Sequence, residues 1–360
     1  MRTNFPVNLR FEPGPASELL SQVGGLSKLR MGEYPMRNAS LHCIGLAVVL
    51  IAGAAAWSQS SAVPDQKTRA HGLQQEILRR FGPVAAKVVR AQGHAQPESK
   101  SSYKFSIVDF PGSSQSFTCD AGNGEIIGNF ADPLNSDLAT AFILKGNVEQ
   151  RFVVPGLNGS QEVLAISTTG EMVGAAITPP YMRSLEIING QATIFDPPQA
   201  VTDEATGVNA SGVIVGNYYD ADNFSHGYMY SGGQFTYIDY PGGTYTVVND
   251  INSAGEIVGY WIDTSDVTHG FLLKNGKYTS IDVPQSNETL VTGINDKGQI
   301  VGAYGGSDGA GHGFLYSNGV FQSVDIPRAA ETLIFRVKNN GELLGAYFDD
   351  KGEAHAFVSK

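Results

Sequence analysis

The residues Ser280–Pro327 read SIDVPQSNETLVTGINDKGQIVGAYGGSDGAGHGFLYSNGVFQSVDIP, and this stretch is one full period of a repeat. Three of its markers recur at a step of 43 residues: the Asp of an Asp-x-Pro motif, the glycine that opens GQIVG, and a histidine. The marker residues are Asp196, Asp239, Asp282 and Asp325; Gly212, Gly255, Gly298 and Gly341; and His226, His269, His312 and His355. Two degenerate copies lie upstream, with Gly124 and Gly170 in the first-glycine position. Such a repeat predicts architecture well and says little about activity.

Each period contains four short strands that are divided by turn sequences. In the quoted copy the strands are LVTGI, QIVGAY, GFLYS and FQSVDI, and the turns are NDKG, GSDGAG and NG. Asn-Gly and Asn-x-x-Gly provide the positive-φ residue that a tight hairpin requires. No segment of the repeats has the apolar spacing of a helix, which excludes the helical repeat arrays. Four strands in about 43 residues are typical of one blade of a β-propeller.

The two ends of the repeat region complement each other. Six copies fit into residues 103–360, but the last copy stops after its third strand, in HAFVSK. The region begins with FSIVDFP at 105–111, which matches the fourth-strand sequence FQSVDIP at 321–327. We therefore expect Phe105–Asp109 to pair with His355–Val358, which would leave no open sheet edge. The predicted fold is all-β, a six-bladed β-propeller of four-stranded repeats that is closed by the N-terminal strand of the domain.

The second strand of each repeat is apolar at consecutive positions, so we expect both of its faces to be covered. A glycine stands inside this strand in all six copies. These glycines are Gly128, Gly174, Gly216, Gly259, Gly302 and Gly345. Because a glycine inside a strand costs stability, its recurrence predicts a close backbone approach between neighbouring blades.

The first 102 residues precede the repeats, and their sequence pattern predicts export. Residues 43–56, CIGLAVVLIAGAAA, form an apolar run behind Arg37 and His42, and Ala56-Trp57-Ser58 offers small residues for cleavage. This pattern is typical of a signal peptide and short for a membrane span. An uncleaved anchor and a buried helix are the alternatives, and Met31 and Met36 are alternative starts. We predict a leader and signal peptide at 1–58, a partly helical linker at 59–102 and the repeat domain at 103–360. The mature chain is expected to be extracellular or periplasmic, without a stable membrane span.

Charge divides the chain into a basic and an acidic part. Residues 1–102 carry a net charge of +6, whereas residues 103–360 hold 29 acidic and 12 basic side chains, a net charge of −17. A domain this acidic is not expected to bind nucleic acid through phosphates. Cys119 is the one cysteine after the signal, so it has no intrachain disulfide partner and is expected to lie in the core. We expect a monomer.

Three repeats carry a resemblance to a known family. GVNASGVIVGNYYDADNFSHGYMYSGGQF, DINSAGEIVGYWIDTSDVTHGFLLKNGKY and GINDKGQIVGAYGGSDGAGHGFLYSNGVF resemble the HAF family of extracellular repeats, named for a His-Ala-Phe motif. The motif is unchanged at His355-Ala356-Phe357, is His-Gly-Phe or His-Gly-Tyr in the three copies before it, and is lost at Thr140-Ala141-Phe142 and Arg183-Ser184-Leu185. The resemblance covers residues 105–360. It implies an exported bacterial protein of β-repeat type and assigns no catalytic residue.

The recurring polar residues favour structural roles over chemistry. The four histidines occupy one place in successive blades, and packed sheets lie about 10 Å apart. Zinc needs its nitrogen ligands at about 2 Å, so neighbouring histidines are not expected to share one ion. We expect them to bond a nearby loop, and the Asp of Asp-x-Pro to close a turn.

No known catalytic or cofactor motif is found in the chain. Asp220, Asp222 and Asn223 resemble the start of a calcium loop, but the later glycine and glutamate of an EF-hand are missing. A Ca²⁺ site and a plain hairpin turn are the two alternatives for these residues. Gly-x-Ser-x-Gly, His-Glu-x-x-His and the phosphate loop are also missing from the sequence. We therefore expect no required cofactor.

Acidic residues concentrate at one end of the predicted blades. The turns between second and third strands and the links between blades share one end, because successive turns of an antiparallel sheet alternate. We expect this acidic face to bind the ligand, through Asp220, Asp222, Asp263, Asp266, Asp308 and Asp349, although acidic turns also serve solubility. The same turns also hold Asp132, Asp137, Asp350 and Glu353. The links contribute Asp109, Asp196, Asp203, Glu204, Asp239, Asp282, Glu288, Asp325 and Glu331.

The sequence favours an exported, non-enzymatic binding module with a protein or carbohydrate ligand. The alternative is a secreted hydrolase or lyase that acts on a polysaccharide-like polymer, and a purely structural surface protein is a third reading. Propellers host all of these, so fold alone does not choose. A catalytic site departs from the repeat consensus, and the most divergent copy is the second, with Arg183 and Glu186.

Overall fold

The structure is a computed structural model. It describes residues 103–360 except 114, 132–138, 147, 155, 158–160 and 179–180. The predicted leader, signal peptide and linker, residues 1–102, therefore lie outside the described residues, as do Asp132 and Asp137 in the first acidic turn.

The described residues form 24 β-strands and no helix. In chain order the strands are β1 (Phe105–Ile107), β2 (Ser116–Gly122), β3 (Glu125–Ala131), β4 (Ala139–Lys145), β5 (Val148–Phe152), β6 (Gln161–Ile166), β7 (Met172–Thr178), β8 (Tyr181–Ile188), β9 (Gln191–Phe195), β10 (Thr202–Val208), β11 (Ile214–Tyr219), β12 (Ser225–Ser231), β13 (Gln234–Ile238), β14 (Tyr245–Ile251), β15 (Ile257–Ile262), β16 (Thr268–Lys274), β17 (Lys277–Ile281), β18 (Thr289–Ile294), β19 (Ile300–Gly305), β20 (Gly311–Ser317), β21 (Val320–Val324), β22 (Glu331–Val337), β23 (Leu343–Phe348) and β24 (Ala354–Ser359). Among these residues there is no helix long and apolar enough to cross a membrane.

The strands pair in sets of four, which confirms the all-β prediction and the four-stranded repeat. Strands β2–β5, β6–β9, β10–β13 and β14–β17 each form an antiparallel four-stranded sheet. Strands β18–β24 and β1 form an eight-stranded sheet, whose two halves of four are joined by the single parallel pair Gly311 and Glu331. We call the sets the first to sixth repeats, and their first strands are β2, β6, β10, β14, β18 and β22.

The first strand of the domain pairs with its last strand, as the sequence predicted. Strand β1 runs antiparallel to β24, with Phe105 opposite Ser359 and Ile107 opposite Phe357. Outside the strands, the N–H of Lys104 donates to the carbonyl of Lys360 at 3.0 Å, and the return bond measures 2.7 Å. The sixth repeat therefore has four strands although the C-terminal part of the chain provides three.

The hairpins use the backbone conformations that their turn residues predict. Asn318 and Gly319, between β20 and β21, have φ values of 52° and 82°. These values suit a two-residue hairpin turn that matches the twist of the strands. The strands of the fifth repeat fall where the sequence placed them, within about two residues at each end.

The second-strand glycines make a close backbone approach, but the predicted partner was wrong. A Cβ at Gly259 or Gly302 would overlap the carbonyl oxygen of Val247 or Leu290, which belongs to the first strand of the same sheet. The equivalent glycines meet the same obstacle. The contact between neighbouring sheets instead involves the glycine of His-Gly: a Cβ at Gly227 would overlap the side chain of Val248 in the next repeat.

The hydrophobic core is divided among the spaces between consecutive sheets. Val258 and Ile281 of the fourth repeat pack with Val291 and Phe314 of the fifth. Similar clusters join the first repeat to the second and the fifth to the sixth. Each sheet is therefore stabilised by burial against its neighbours, since one four-stranded sheet buries too little alone.

A β-bulge interrupts the first strand of every repeat at the same place. The pairing register shifts between Thr118 and Asp120, Val163 and Ala165, Ala205 and Gly207, Val248 and Asp250, Val291 and Gly293, and Ile334 and Arg336. A bulge leaves one residue unpaired and re-aims the residues beside it. The charged residues that follow the bulge, Asp120, Asp250 and Arg336, build the site described next.

Candidate functional site

Arg336 brings first strands from four repeats together at one side chain. Arg336 belongs to β22, and its side chain is 3% exposed. One terminal nitrogen donates to the carbonyl of Thr292 at 2.7 Å, and the other donates to the carbonyls of Thr206 at 2.8 Å and Asn249 at 3.1 Å. These acceptors are the bulge residues of β18, β10 and β14. Carbonyl groups far apart in sequence therefore converge on a single buried cation.

Two carboxylates stand at positions equivalent to Arg336: Asp250 is buried and Asp120 is half-buried. The carboxylate of Asp250 lies 3.5 Å from the Arg336 side-chain Nε and accepts the N–H of Ile294 in the next repeat at 2.9 Å. Asp120 accepts the N–H of Ile166 at 2.9 Å in the same manner. Burial raises the pKa of Asp250 to about 6 although Arg336 acts to lower it, and burial also raises the pKa of Asp120. The second oxygen of each carboxylate accepts the N–H of the following residue, Ala121 or Ile251. Each oxygen therefore accepts one backbone N–H and has a second acceptor position.

A cavity of about 540 Å³ includes these charged groups in its lining. We call it the Arg336 cavity. Its volume lies within the range of about 300–1,000 Å³ that is typical of ligand pockets. The lining also includes the turns between first and second strands, with Asn209, Asn252, Asn295 and Asn339. These turns lie at the opposite end of the sheets from the acidic face, because successive turns alternate.

The asparagines of these turns tie neighbouring repeats together. The side-chain amide of Asn209 donates to the carbonyl of Asn252 at 3.2 Å, and Asn252 donates to Asn295 in the same way at 3.2 Å. Asn295 continues the chain of bonds to the carbonyl of Lys338 at 3.0 Å. The wall of the Arg336 cavity is therefore held in place before any ligand arrives, which lowers the entropic cost of binding.

At the other end of the sheets, each repeated histidine lies between two carboxylates. The Nδ1 of His226 is 2.9 Å from Asp239 and its Nε2 is 3.4 Å from Asp220, while its ring stacks on Tyr218 with centroids 5.0 Å apart. We call this arrangement a histidine clamp. The other three clamps are Asp282–His269–Asp263 on Trp261, Asp325–His312–Asp308 on Tyr304, and Asp109–His355–Asp349 on Tyr347. Each clamp links the turn between second and third strands to the end of a fourth strand.

Four of the six predicted ligand-binding carboxylates contact the histidine of a clamp. They are Asp220, Asp263, Asp308 and Asp349. One oxygen of Asp263 accepts the N–H groups of Ser265 at 2.7 Å and Val267 at 2.9 Å, and the bond from Val267 lowers the pKa of Asp263 against the opposing effect of desolvation. Asp220 and Asp349 close their turns in the same way. In the fifth repeat Gly306 stands at this position, and Asp308 supplies the carboxylate from two residues later. Asp222 and Asp266 are exposed on the same turns.

The first and second repeats depart from the clamp. Thr140 replaces the histidine in the first, and Arg183 replaces it in the second, where it pairs with Asp196. Arg183 is the divergent residue that the sequence singled out. Its partner, Asp196, is the Asp of the Asp-x-Pro motif. In the second repeat an arginine therefore takes the place of the histidine that connects the third strand to the end of the fourth strand.

Three carboxylates that the sequence placed in the links lie in strands instead. Asp203 and Glu204 belong to β10 and are 4% and 3% exposed, and Glu331 belongs to β22. The prediction was wrong because the first strand begins earlier than its apolar residues do. Burial raises the pKa of Asp203 to about 7, although the backbone and hydroxyl of Ser184 in the previous repeat act to lower it. These side chains do not add to the acidic face.

The buried charges lie in strands and were not predicted, because the acidic residues of the sequence concentrate in the turns. Arg336 stands in LIFRV, where equivalent copies carry Gly293 and Gly207. Glu162 is fully buried, and neither of its carboxylate oxygens has a hydrogen-bond partner within the described residues. Burial, with Glu204 nearby, raises the pKa of Glu162 well above its usual range. A charged residue inside an otherwise apolar strand was the signal that could have found both positions.

The chain matches no family model and no curated protein, so the resemblance to HAF repeats stays a prediction. Solved structures that resemble it are β-propellers. They include the fungal lectin of Aleuria aurantia, described as a six-bladed β-propeller (TM-score 0.47, 10% identity, 73% of this chain and 93% of that chain covered). The β-propeller domain of the trilobed protease from Pyrococcus furiosus is similar at a TM-score of 0.44 (10% identity, 66% and 79% covered). A mutant of AofleA from Arthrobotrys oligospora is similar at 0.47 (12% identity, 76% and 89% covered).

Proposed function

We propose that residues 103–360 form a closed six-bladed β-propeller that works as an exported binding module, with the Arg336 cavity as its ligand site. The observation that carries this proposal is the convergence of Thr206, Asn249 and Thr292 on the guanidinium of Arg336. First strands of separate sheets meet at one side chain when the sheets stand around a common axis. Export rests on the signal peptide that the sequence predicts at residues 43–58.

Contacts of the first repeat support closure of the ring. The hydroxyl of Thr118 donates to the carbonyls of Gly345 at 2.8 Å and Phe357 at 3.0 Å, both in the sixth repeat. The amide of Asn129 donates to the carbonyl of Val163 in the second repeat at 3.1 Å. The first repeat thus has a neighbour on each side, and the pairing of β1 with β24 covers the edge that would otherwise remain.

The chemistry of the Arg336 cavity favours a small ligand that is rich in hydroxyl groups, such as a sugar. The terminal nitrogens of Arg336 donate to backbone carbonyls, so the lining beside Arg336 offers acceptors, mainly the carboxylates of Asp120 and Asp250. Hydroxyl groups donate to such carboxylates without a net charge of their own, and a charge-assisted bond is about twice as strong as a neutral one.

Binding can be tested by titrating the full chain with a panel of monosaccharides and soluble oligosaccharides in a calorimeter. Ala210 is exposed on a turn and lines the Arg336 cavity, whereas Ser211 is the next residue of the same turn and lies outside the lining. Ala210→Trp should abolish the binding found for the parent, because the indole fills the mouth of the cavity. Ser211→Trp should retain it. Equal affinities in the two variants would contradict the assignment of the cavity.

The acidic face remains the other candidate surface for the ligand. Asp222→Asn together with Asp266→Asn removes two of its charges without touching a histidine clamp. If this double variant weakens binding and flattens its salt dependence while Ala210→Trp does not, the ligand binds the acidic face and the cavity assignment is wrong.

A hydrolase or lyase is the second candidate, and one observation favours it. Asp203, with a pKa of about 7, accepts the N–H of Ser184 at 2.8 Å, and the Ser184 hydroxyl shares a hydrogen bond of 2.6 Å with Tyr228. A carboxyl group that titrates near neutrality suits general acid–base catalysis. Incubation with neutral and acidic polysaccharides, followed by assays for reducing ends and for unsaturated products, tests this candidate. Cleavage that Asp203→Asn abolishes would support it, and intact polymers would exclude it.

A further inference from the structure

The histidine clamp of the sixth repeat carries one side chain more than the other clamps. Asp349, Glu353 and His355 each offer a ligand atom, and the three atoms lie within 4.8 Å of one another. We propose that these three side chains bind a zinc ion, with water as the fourth ligand. The site lies on the acidic face and is separate from the Arg336 cavity, so it does not depend on the function proposed above.

The imidazole of His355 is oriented as a metal ligand would be. Its Nδ1 lies 2.7 Å from the carboxylate of Asp109, to which it donates, and this leaves the lone pair of Nε2 directed at Asp349. Metal-binding histidines almost always donate their other ring N–H to a carboxylate or carbonyl, which fixes the tautomer and makes the ligand more basic. Tyr347 stacks on the ring with centroids 5.0 Å apart and limits its rotation.

Asp349 is positioned by the turn that it closes. Its Oδ1 accepts the N–H groups of Lys351 at 2.8 Å and Glu353 at 2.9 Å, so Oδ2 is the atom that faces His355, at 3.7 Å from Nε2. Ligand atoms about 2.0–2.2 Å from a tetrahedral zinc lie about 3.3–3.6 Å apart. A small rotation of the carboxylate therefore closes the site, and the exposed side chain of Glu353 leaves an entry path.

Comparison between repeats separates this site from the general clamp. The residues that stand where the sixth repeat has Glu353 are Phe224, Val267 and Ala310. Those three clamps offer one imidazole nitrogen and carboxylates on its two sides, without a third ligand atom on the side of Nε2. One nitrogen with two carboxylate oxygens suits zinc, whereas calcium takes six to eight oxygen ligands.

The test measures zinc binding to the full chain after removal of metal with EDTA, by competition with a chromogenic chelator. We expect the parent to bind zinc and Glu353→Gln to bind it at least about tenfold more weakly, since loss of even an outer partner costs about 10–100-fold. Glu353 is exposed, so the variant should fold. His269→Gln removes the clamp of the fourth repeat and should leave zinc affinity unchanged.

The same samples give a second readout. Zinc should raise the melting temperature of the parent and of His269→Gln, and should leave that of Glu353→Gln nearly unchanged, because a ligand that binds only the folded state stabilises it. His42, His71 and His94 of the N-terminal region are present in all three proteins, so they do not create a difference between them. The proposal is overturned if the parent binds no zinc, if Glu353→Gln binds it as the parent does, or if His269→Gln loses it equally.

Discussion

A single buried residue, Arg336, satisfies carbonyl groups that β-bulges leave without a partner in the sheets. The bulge residues Thr206, Asn249 and Thr292 cannot use these carbonyls in a ladder, and a buried carbonyl without a donor costs about 1–3 kcal/mol. The guanidinium supplies donors in a planar fork that a lysine would lack. Asp250 provides a countercharge at 3.5 Å.

Replacing Arg336 by leucine should therefore destabilise the domain strongly. The change removes donors from three carbonyls of other repeats and leaves the carboxylate of Asp250 buried without its countercharge. Breaking a buried ion pair in this way costs about 3–5 kcal/mol. The free energy of unfolding, measured with urea, should fall by that amount. Lys338→Ala breaks a partly exposed pair with Glu342 and should cost less than about 1 kcal/mol. Similar losses in the two variants would contradict the role given to Arg336.

His312 gives the stability of the domain a dependence on alkaline pH. Hydrogen bonds to Asp325 and then to Asp308 raise the pKa of His312 from 6.5 to about 9, against desolvation. Because the folded-state pKa lies above the unfolded value, this contribution to stability is complete below about pH 6.5 and is lost as the pH rises through about 9.

His312→Gln should remove this dependence. The parent should lose unfolding free energy between about pH 6.5 and pH 9 to a greater extent than the variant, as measured by urea unfolding at a series of pH values. Gln keeps a polar group of similar length but cannot carry the positive charge. An identical slope in both proteins would show that the clamp of the fifth repeat does not hold a protonated imidazole.

At the scale of elements, the turn residues made the strands of the repeats predictable. The tertiary contacts of these strands could not be predicted. Asn318-Gly319 predicted a hairpin because few residues accept positive φ at both turn positions. The backbone partner of Gly259 was assigned to the wrong sheet, because the sequence carries no sign of the bulge beside Val248. Arg336 lies within a strand that reads as apolar, so its position in the lining of a cavity depends on contacts that only the folded chain reveals.

Strand β1 is the element whose removal is most informative. Phe105 packs edge-on against Phe357 with ring centroids 5.5 Å apart, the N–H of Val108 donates to the carbonyl of Ala356, and Asp109 completes the clamp of His355. A chain that begins at residue 112 should melt about 10 °C or more below a chain that begins at residue 103, since several kcal/mol are lost and each shifts the melting temperature by about 2–4 °C. Equal melting temperatures would refute the role of β1 in completing the sixth repeat.

At the scale of the whole molecule, the two ends of the sheets differ in chemistry. One end carries the histidine clamps and the acidic turns, and the other carries the Arg336 cavity with its rim of asparagines. A domain with a net charge of −17 attracts cations over several ångströms, and this attraction acts on the end where the proposed zinc ligands lie. The binding module that we propose would hold a metal ion at one of these ends and an uncharged ligand at the other.

The four-stranded repeat and the order of its strands could be predicted from sequence because each repeat contains its own local signals. The charges that line the Arg336 cavity could not, because they occur once or twice in six copies and have no common motif. Asp120, Asp250 and Arg336 occupy equivalent positions in three different repeats, and tertiary contacts between the repeats bring them to one cavity.

An electron-density map of the crystallised repeat domain, residues 103–360, tests the proposed ring most directly. The account predicts six four-stranded sheets around one axis, with the guanidinium of Arg336 on that axis and Phe105–Ile107 paired with Phe357–Ser359 in the last sheet. A different number of sheets, or a first and a sixth repeat that do not touch, would contradict it.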